Sequence, residues 1–131
     1  MTGYLTDTSV FVAAEQRRAL STPPEGAARI SVATLTELMV GVRRAEDPAV
    51  RMLREETLKR ARRFVALAYD EQVAERLAEL LTRARGAGRR AGAMDAIIAA
   101  TALAQDLVVW TQDDDFEVLA ELAPELRLHS G

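Results

Sequence analysis

Cysteine is absent from the 131 residues, lysine occurs once, at Lys59, and the single histidine, His129, stands two residues from the C-terminus. Without thiols there is no disulfide framework, no thiolate zinc site and no cysteine nucleophile. One terminal histidine also removes histidine-based triads and histidine metal clusters. Chemistry is left to carboxylates, hydroxyls, arginine or a bound metal. Long apolar runs are missing as well: none approaches the roughly 18–20 residues of a membrane helix. Asp7 interrupts residues 1–14, where a signal peptide would be apolar. The expectation is a cytoplasmic protein with no membrane contact.

Apolar content of 49% and charged content of 28% are those of a folded chain, not a disordered one. The length predicts one domain over residues 1–131. The net charge of −3 conceals segregation, with basic residues gathered between Arg51 and Arg63 and again between Arg83 and Arg90. Because nearly all of them are arginine, coding bias and phosphate binding both account for them.

Tyr4-Leu5-Thr6 reads as a short strand ending at Asp7, after which the Thr8 and Ser9 hydroxyls suit the start of a helix through Ala14. Pro23, Pro24 and Gly26 mark a loop. Arg29-Ile30-Ser31 predicts a second strand, and Leu35, Leu38, Met39 and Val42 have helical spacing over residues 32–42. Glu37 falls opposite that stripe, which fits a solvated face. Its neighbours one turn away, Ala33 and Gly41, are small enough for a cleft instead.

Pro48 opens a helix over about 49–63, residues 65–68 read as a buried strand, and Asp70 caps a helix whose Val73, Leu77, Leu80 and Leu81 face inward. Residues 84–92 form a Gly/Arg loop that matches neither a Walker A motif nor a dinucleotide fingerprint. It leads into Gly92 to Ala104, a small and apolar helical run with one acid, Asp95, in its first turn. A cap is the simple reading of that acid. A strand over 107–110, the acids Asp113, Asp114 and Asp115, a helix over about 117–122 and a strand over 126–128 complete the chain.

Strands alternating with helices predict an α/β fold, a central mostly parallel sheet covered on both faces. In such sheets ligands bind at the edge formed by the strand C-termini, where Asp7 and the Asp113 to Asp115 group fall. Asp95 and Glu37 need only face that edge. Carboxylates crowded together repel unless protons or a cation neutralise them. An oxygen-only donor set selects Mg²⁺ or Mn²⁺, and such ions equip a site for phosphodiester hydrolysis.

Asp7-Thr8-Ser9 after a strand, Thr36-Glu37-Leu38 in the second helix, Asp95-Ala96-Ile97-Ile98-Ala99-Ala100-Thr101-Ala102, and Thr111-Gln112-Asp113-Asp114-Asp115-Phe116 occur in this order along nearly the whole chain. Together they resemble PIN-domain ribonucleases, and among those look most like the VapC toxins of bacterial type II toxin–antitoxin modules. The resemblance implies a three-layer α/β/α sandwich and a Mg²⁺- or Mn²⁺-dependent endoribonuclease. It also implies a homodimer, and a VapB-type antitoxin that covers an apolar groove and blocks the acidic site in a hetero-oligomer. The RNA substrate, whether tRNA, rRNA or mRNA, stays open.

Carried over by position, Asp7, Glu37, Asp95 and Asp113 match the catalytic, metal-binding acids. Thr8, Ser9, Thr111 and Asp115 would support them. Arg85, Arg89 and Arg90, in the loop before Asp95, are candidate RNA contacts. Two other classes remain. In a phosphoryl-aspartate domain, receiver- or dehalogenase-like, Asp7 would be the nucleophile. The dehalogenase form wants a second Asp where Ser9 stands, and both want a strand-end lysine that Lys59 does not supply. A non-catalytic binding module is the other.

Overall fold

A computed structural model describes residues 3–130. Five strands, β1 (Gly3–Thr6), β2 (Ala27–Ser31), β3 (Val65–Leu67), β4 (Val108–Thr111) and β5 (Leu128–Ser130), form one sheet in the order β3-β2-β1-β4-β5. Every pairing is parallel. Six helices connect them: α1 (Thr8–Glu15), α2 (Val32–Arg44), α3 (Pro48–Ala61), α4 (Glu71–Gly86), α5 (Ala93–Gln105) and α6 (Phe116–Leu122). The expected α/β/α architecture is present. No helix among the described residues is long and apolar enough to cross a membrane.

Parallel pairing forces long return connections, so helices cover the sheet and its inner strands become apolar. Leu5, Ile30 and Val109, on the three inner strands, are fully buried. Ala96, Ile98, Ala99, Ala100 and Ala102 of α5 pack with Val73 and Leu80 of α4 and with Phe116 and Leu119 of α6. A second cluster joins Phe11, Ile30, Leu38, Leu58 and Ala61 around α1, α2 and α3. Each fully buried side chain such as Ile98 or Phe116 contributes roughly 1.5–3 kcal/mol relative to exposure.

Helix ends follow local rules. Asp47 caps α3 by accepting from the Ala49 amide at 2.9 Å, with Pro48 at the first helical position. Asp70 caps α4 through the Val73 amide at 2.9 Å, as expected. The cap of α1 is Asp7 rather than a hydroxyl of Thr8 or Ser9, because those hydroxyls bond to acids.

Four sequence expectations require correction. Leu81 does not face inward with Val73, Leu77 and Leu80: it is 47% exposed. Residues 65–68 are not a buried strand: β3 lies at the sheet edge and Val65 is 63% exposed. The last strand begins at Leu128, not Leu126, because a turn from the Leu126 amide to the Ala123 carbonyl buries Leu126 in the core first. The Gly/Arg loop is shorter than expected, since α4 continues to Gly86.

Gly3 shows how tightly β1 is seated. A Cβ there would lie 2.9 Å from the Ala27 carbonyl oxygen and 3.2 Å from a Leu107 methyl, against backbone that is registered to Gly3 itself. Gly86, at the end of α4, has nothing within 4 Å of an added Cβ. Gly3→Ala is expected to destabilise by about 1–3 kcal/mol, an overpacking penalty. Gly86→Ala should be neutral or stabilising by up to about 1 kcal/mol. Urea denaturation of both variants compares them directly, and equal midpoints would contradict this account of β1.

Candidate active site

Strand order reverses direction between β1 and β4: β2 and β3 lie on one side of β1, β4 and β5 on the other. This reversal opens a crevice at the carboxyl ends of the strands. Asp7 follows β1 there, and its amide donates to the Trp110 carbonyl of β4 at 2.9 Å. A cavity of about 270 Å³ at this edge is lined by Asp7, Thr8, Ser9, Val12, Arg18, Glu37, Asp95 and Asp113. Four acids distant in sequence share one small space.

Asp7 is the most rigidly held of them. It is 2% exposed. Its Oδ2 accepts from the Ser9 hydroxyl at 2.6 Å, the Thr111 hydroxyl at 3.0 Å and the Ser9 amide at 3.3 Å. Those hydroxyls are oriented in turn. The Gln112 amide donates to Ser9 Oγ and the Asp113 amide to Thr111 Oγ1, each at 2.9 Å, so both hydroxyl protons are directed at Asp7. The loop after β4 is thereby tied to the end of β1.

Glu37, on α2, accepts from the Thr8 hydroxyl at 2.6 Å. Thr34 Oγ1 lies 3.1 Å from the Thr8 hydroxyl and is a second acceptor for the same Thr8 proton. Glu37 is partly buried at the cavity wall, so the cleft reading holds over the solvated one. Asp95 lies in the first turn of α5 but does not cap it: Gly92 occupies the cap position and no side chain bonds there. The capping reading of Asp95 is thereby set aside.

Electrostatics follow from this crowding. Burial raises the Asp7 carboxyl above its ordinary range, opposed by hydrogen bonds from Ser9 and Thr111. Burial raises Glu37 as well; the Thr8 bond opposes it, while the charges of Asp7 and Asp113 add to it. Asp95 is pushed up to about 7, by burial first and then by the charges of Asp7, Glu37, Asp115 and Asp113. Burial makes Asp7, Glu37 and Asp95 costly to ionise, and neighbouring charges add to the cost for Glu37 and Asp95, a condition that a divalent cation would relieve.

Among the described residues no three acidic side chains stand close enough to grip one ion together. Asp7 Oδ2 and Glu37 Oε1 are engaged by hydroxyls. The donors still fit a hard cation. They are all oxygen, and Mg²⁺ keeps several waters and takes only one or two carboxylates directly.

Other expected residues divide. Asp113 lines the cavity, whereas Asp115 is exposed before α6, its amide donating to Asp113 Oδ1 at 3.1 Å. Arg85, Arg89 and Arg90 are absent from the cavity wall, and Arg89 pairs with Glu121 at 2.9 Å. Sequence reasoning missed Arg18 and Val12. The Arg17-Arg18 pair past α1 was visible, but the backbone turn that brings Arg18 to the acids was not.

Comparison with known proteins agrees with this geometry. The PIN domain family model matches residues 4–122. The chain is 38% identical over 121 residues to Ribonuclease VapC4 of Mycobacterium tuberculosis, covering 90% of this chain and 92% of that one. It is 40% identical over 115 residues to Ribonuclease VapC5 of the same organism, covering 86% and 84%. Among solved structures, a crystal structure of VapBC-5, a member of the VapBC family of toxin–antitoxin systems from Mycobacterium tuberculosis, aligns over 100% of both chains with a TM-score of 0.89 and 32% identity. VapBC2 from Rickettsia felis, bound to a promoter DNA fragment, shares the fold at 20% identity and a TM-score of 0.79, covering 98% of each chain. The fold, the matched span and these identities agree, and the chain belongs to the PIN-domain family, in the group that includes the VapC ribonucleases.

Proposed function

We propose that residues 1–131 act as one PIN domain, a metal-dependent endoribonuclease that serves as the toxin of a type II toxin–antitoxin pair in the cytoplasm. The observation that carries this reading is the meeting of Asp7, Glu37, Asp95 and Asp113 in one cavity, each from a different part of the chain. Names of the relatives support it: those at 38–40% identity are ribonucleases, and a solved neighbour at 32% identity is a toxin–antitoxin complex. The family carries dependence on a divalent metal; Mg²⁺ or Mn²⁺ is our assignment, from the oxygen-only donors.

In this reading Asp7, Glu37, Asp95 and Asp113 would hold a hydrated ion among them, with no more than one or two of the carboxylates bound to it directly. When bound, it supplies an activated water and stabilises charge at the scissile phosphate. The chain's own groups set the stage for that. Ser9 and Thr111 fix Asp7 through Oδ2, which leaves Oδ1 with no hydrogen bond among the described residues. Thr8 fixes Glu37 in the same way. Asp95 releases its proton near neutral pH, so the site completes its negative charge as a cation enters. Asp113 stands in the wall as the fourth acid, and its charge raises the carboxyl of Asp115 outside the cavity.

A VapB-type antitoxin and a second copy of the chain are the partners this reading implies. Val40, Val50, Met52 and Leu53, exposed on α2 and α3, supply apolar surface for protein contact. A phosphoryl-aspartate mechanism is disfavoured, because no lysine lines the cavity.

Induced expression in bacteria should arrest growth and leave discrete RNA ends for the wild type only, with Asp95→Asn and Asp7→Asn inactive. In vitro, either variant should lose roughly 10³-fold in cleavage rate, the order lost with a preorganised electrostatic group. Asn replaces Asp7 equally well as a cap, so folding should persist. Folded wild-type protein that neither arrests growth nor cuts RNA with Mg²⁺ or Mn²⁺ would favour a binding module. Thr111→Val, which removes a donor to Asp7, should lower activity by about 10–100-fold, as outer hydrogen-bond partners of metal sites do.

Stability should carry the same signature. The folded chain holds protons on Asp7, Glu37 and Asp95 that the unfolded chain has released, so without metal its stability falls as pH rises from about 4 to about 7. Added Mg²⁺ or Mn²⁺ competes with those protons and should raise the melting temperature more at about pH 8 than at about pH 5. Differential scanning fluorimetry across pH, with and without the ion, reads this out. An equal metal effect at both pH values would argue against these acids as the ligands.

A further inference from the structure

The cavity that gathers four acids also contains one cation. Arg18 lies in its wall beside Asp7, Glu37, Asp95 and Asp113, yet pairs with no carboxylate among the described residues. Arg18 is exposed at the cavity wall, and its charge is not among the causes of the shifts of Asp7, Glu37 or Asp95. Its position is built into the backbone. Arg17 takes the left-handed conformation, φ 57°, its amide bonds the Ala14 carbonyl at 3.1 Å, and the Arg18 amide bonds the Ala13 carbonyl at 2.8 Å. This closes α1 in a Schellman-type turn, and the residue that follows it, Arg18, lines the cavity. A non-glycine residue in that conformation costs energy, which a turn serving only as a helix stop would avoid with glycine.

Basic residues near a helix C-terminus interact favourably with its dipole, and Arg17 satisfies that as well as Arg18 does. What distinguishes Arg18 is the cavity. Arginines elsewhere near the site are differently engaged: Arg54 donates to the Gly41 carbonyl at 2.7 Å, and Arg89 pairs with Glu121.

We propose that Arg18 is the phosphate-contacting residue of the active site, binding an RNA backbone phosphate next to the acids. The inference rests on the ribonuclease reading and deepens it. A polyanion approaching four carboxylates needs a cation beyond their ion, and guanidinium matches phosphate with paired donors. The loop arginines Arg85, Arg89 and Arg90 are not on the cavity wall and do not take this role.

The test is binding of a short fluorescein-labelled single-stranded RNA of mixed sequence, by anisotropy in Ca²⁺ over a range of salt. Wild type, Arg18→Gln and Arg18→Lys are compared, with Arg63→Gln as a charge control at the opposite sheet edge, before β3. Arg18→Gln should weaken binding about tenfold and lower the salt slope by close to one phosphate contact. Arg18→Lys should restore most of that slope, and Arg63→Gln should match the wild type. In cleavage with Mg²⁺ or Mn²⁺, KM should rise for Arg18→Gln with kcat within about twofold, the mark of lost uniform binding. Unchanged affinity and slope for Arg18→Gln, or a fall in kcat with unchanged KM, would overturn the proposal. Wild-type cleavage is scored separately from RNA binding, so the ribonuclease reading and the role of Arg18 can fail independently.

Discussion

The burial of carboxylates side by side is the constraint on which the rest of this structure depends. In a cavity of about 270 Å³ burial raises the carboxyls of Asp7, Glu37 and Asp95, neighbouring charges add to it for Glu37 and Asp95, and the cost of holding these groups there must be met by the surrounding fold. The pairing of β1 with β4 is what meets it. The Asp7 amide bonds the Trp110 carbonyl, and the Gln112 and Asp113 amides orient the Ser9 and Thr111 hydroxyls onto the Asp7 carboxylate. Without that chain of donors Asp7, 2% exposed, would be a buried charge with nothing to offset it.

The helices serve this arrangement from both sides. Small residues along α5, including Ala96, Ala99, Ala100 and Ala102, let that helix pack deep in the core while keeping Asp95 in its first turn. On the other side, Thr8 in α1 and Thr34 in α2 link hydroxyls to Glu37, so two helices are registered by the same bonds that orient the acid. A cation that neutralises the cavity therefore acts on contacts between β1, β4, α1, α2 and α5 together. In the proposed reading, metal binding and fold stability would be coupled through these shared groups.

Much of this was legible along the chain, and the failures have physical causes. Asp70 as a cap was readable because a cap is a contact between near neighbours, Asp70 and Val73. Thr8 and Ser9 were misread as helix openers because what orients their hydroxyls is distant in sequence: Thr8 donates to Glu37, 29 positions away, and Ser9 is turned onto Asp7 by the Gln112 amide, 103 positions away. Val65 has the composition of a buried strand, yet the edge position of β3 is set by strand order, which local periodicity does not encode. Arg18 escaped notice because its place depends on one left-handed residue, Arg17, of a type that does not advertise that conformation.

By itself the sequence determined the alternation of strands and helices, the apolar faces, and the oxygen-only chemistry that follows from lacking cysteine and holding one terminal histidine. It also carried the acids in an order that resembles a known family. Only the tertiary structure decided that Asp95 is not a cap, that Asp113 rather than Asp115 lines the cavity, and that Arg18 rather than the loop arginines stands beside them. The reason is one of range. Capping and periodicity are fixed over a few residues, whereas convergence at a sheet edge is fixed by strand order and by hydroxyl bonds across the whole chain.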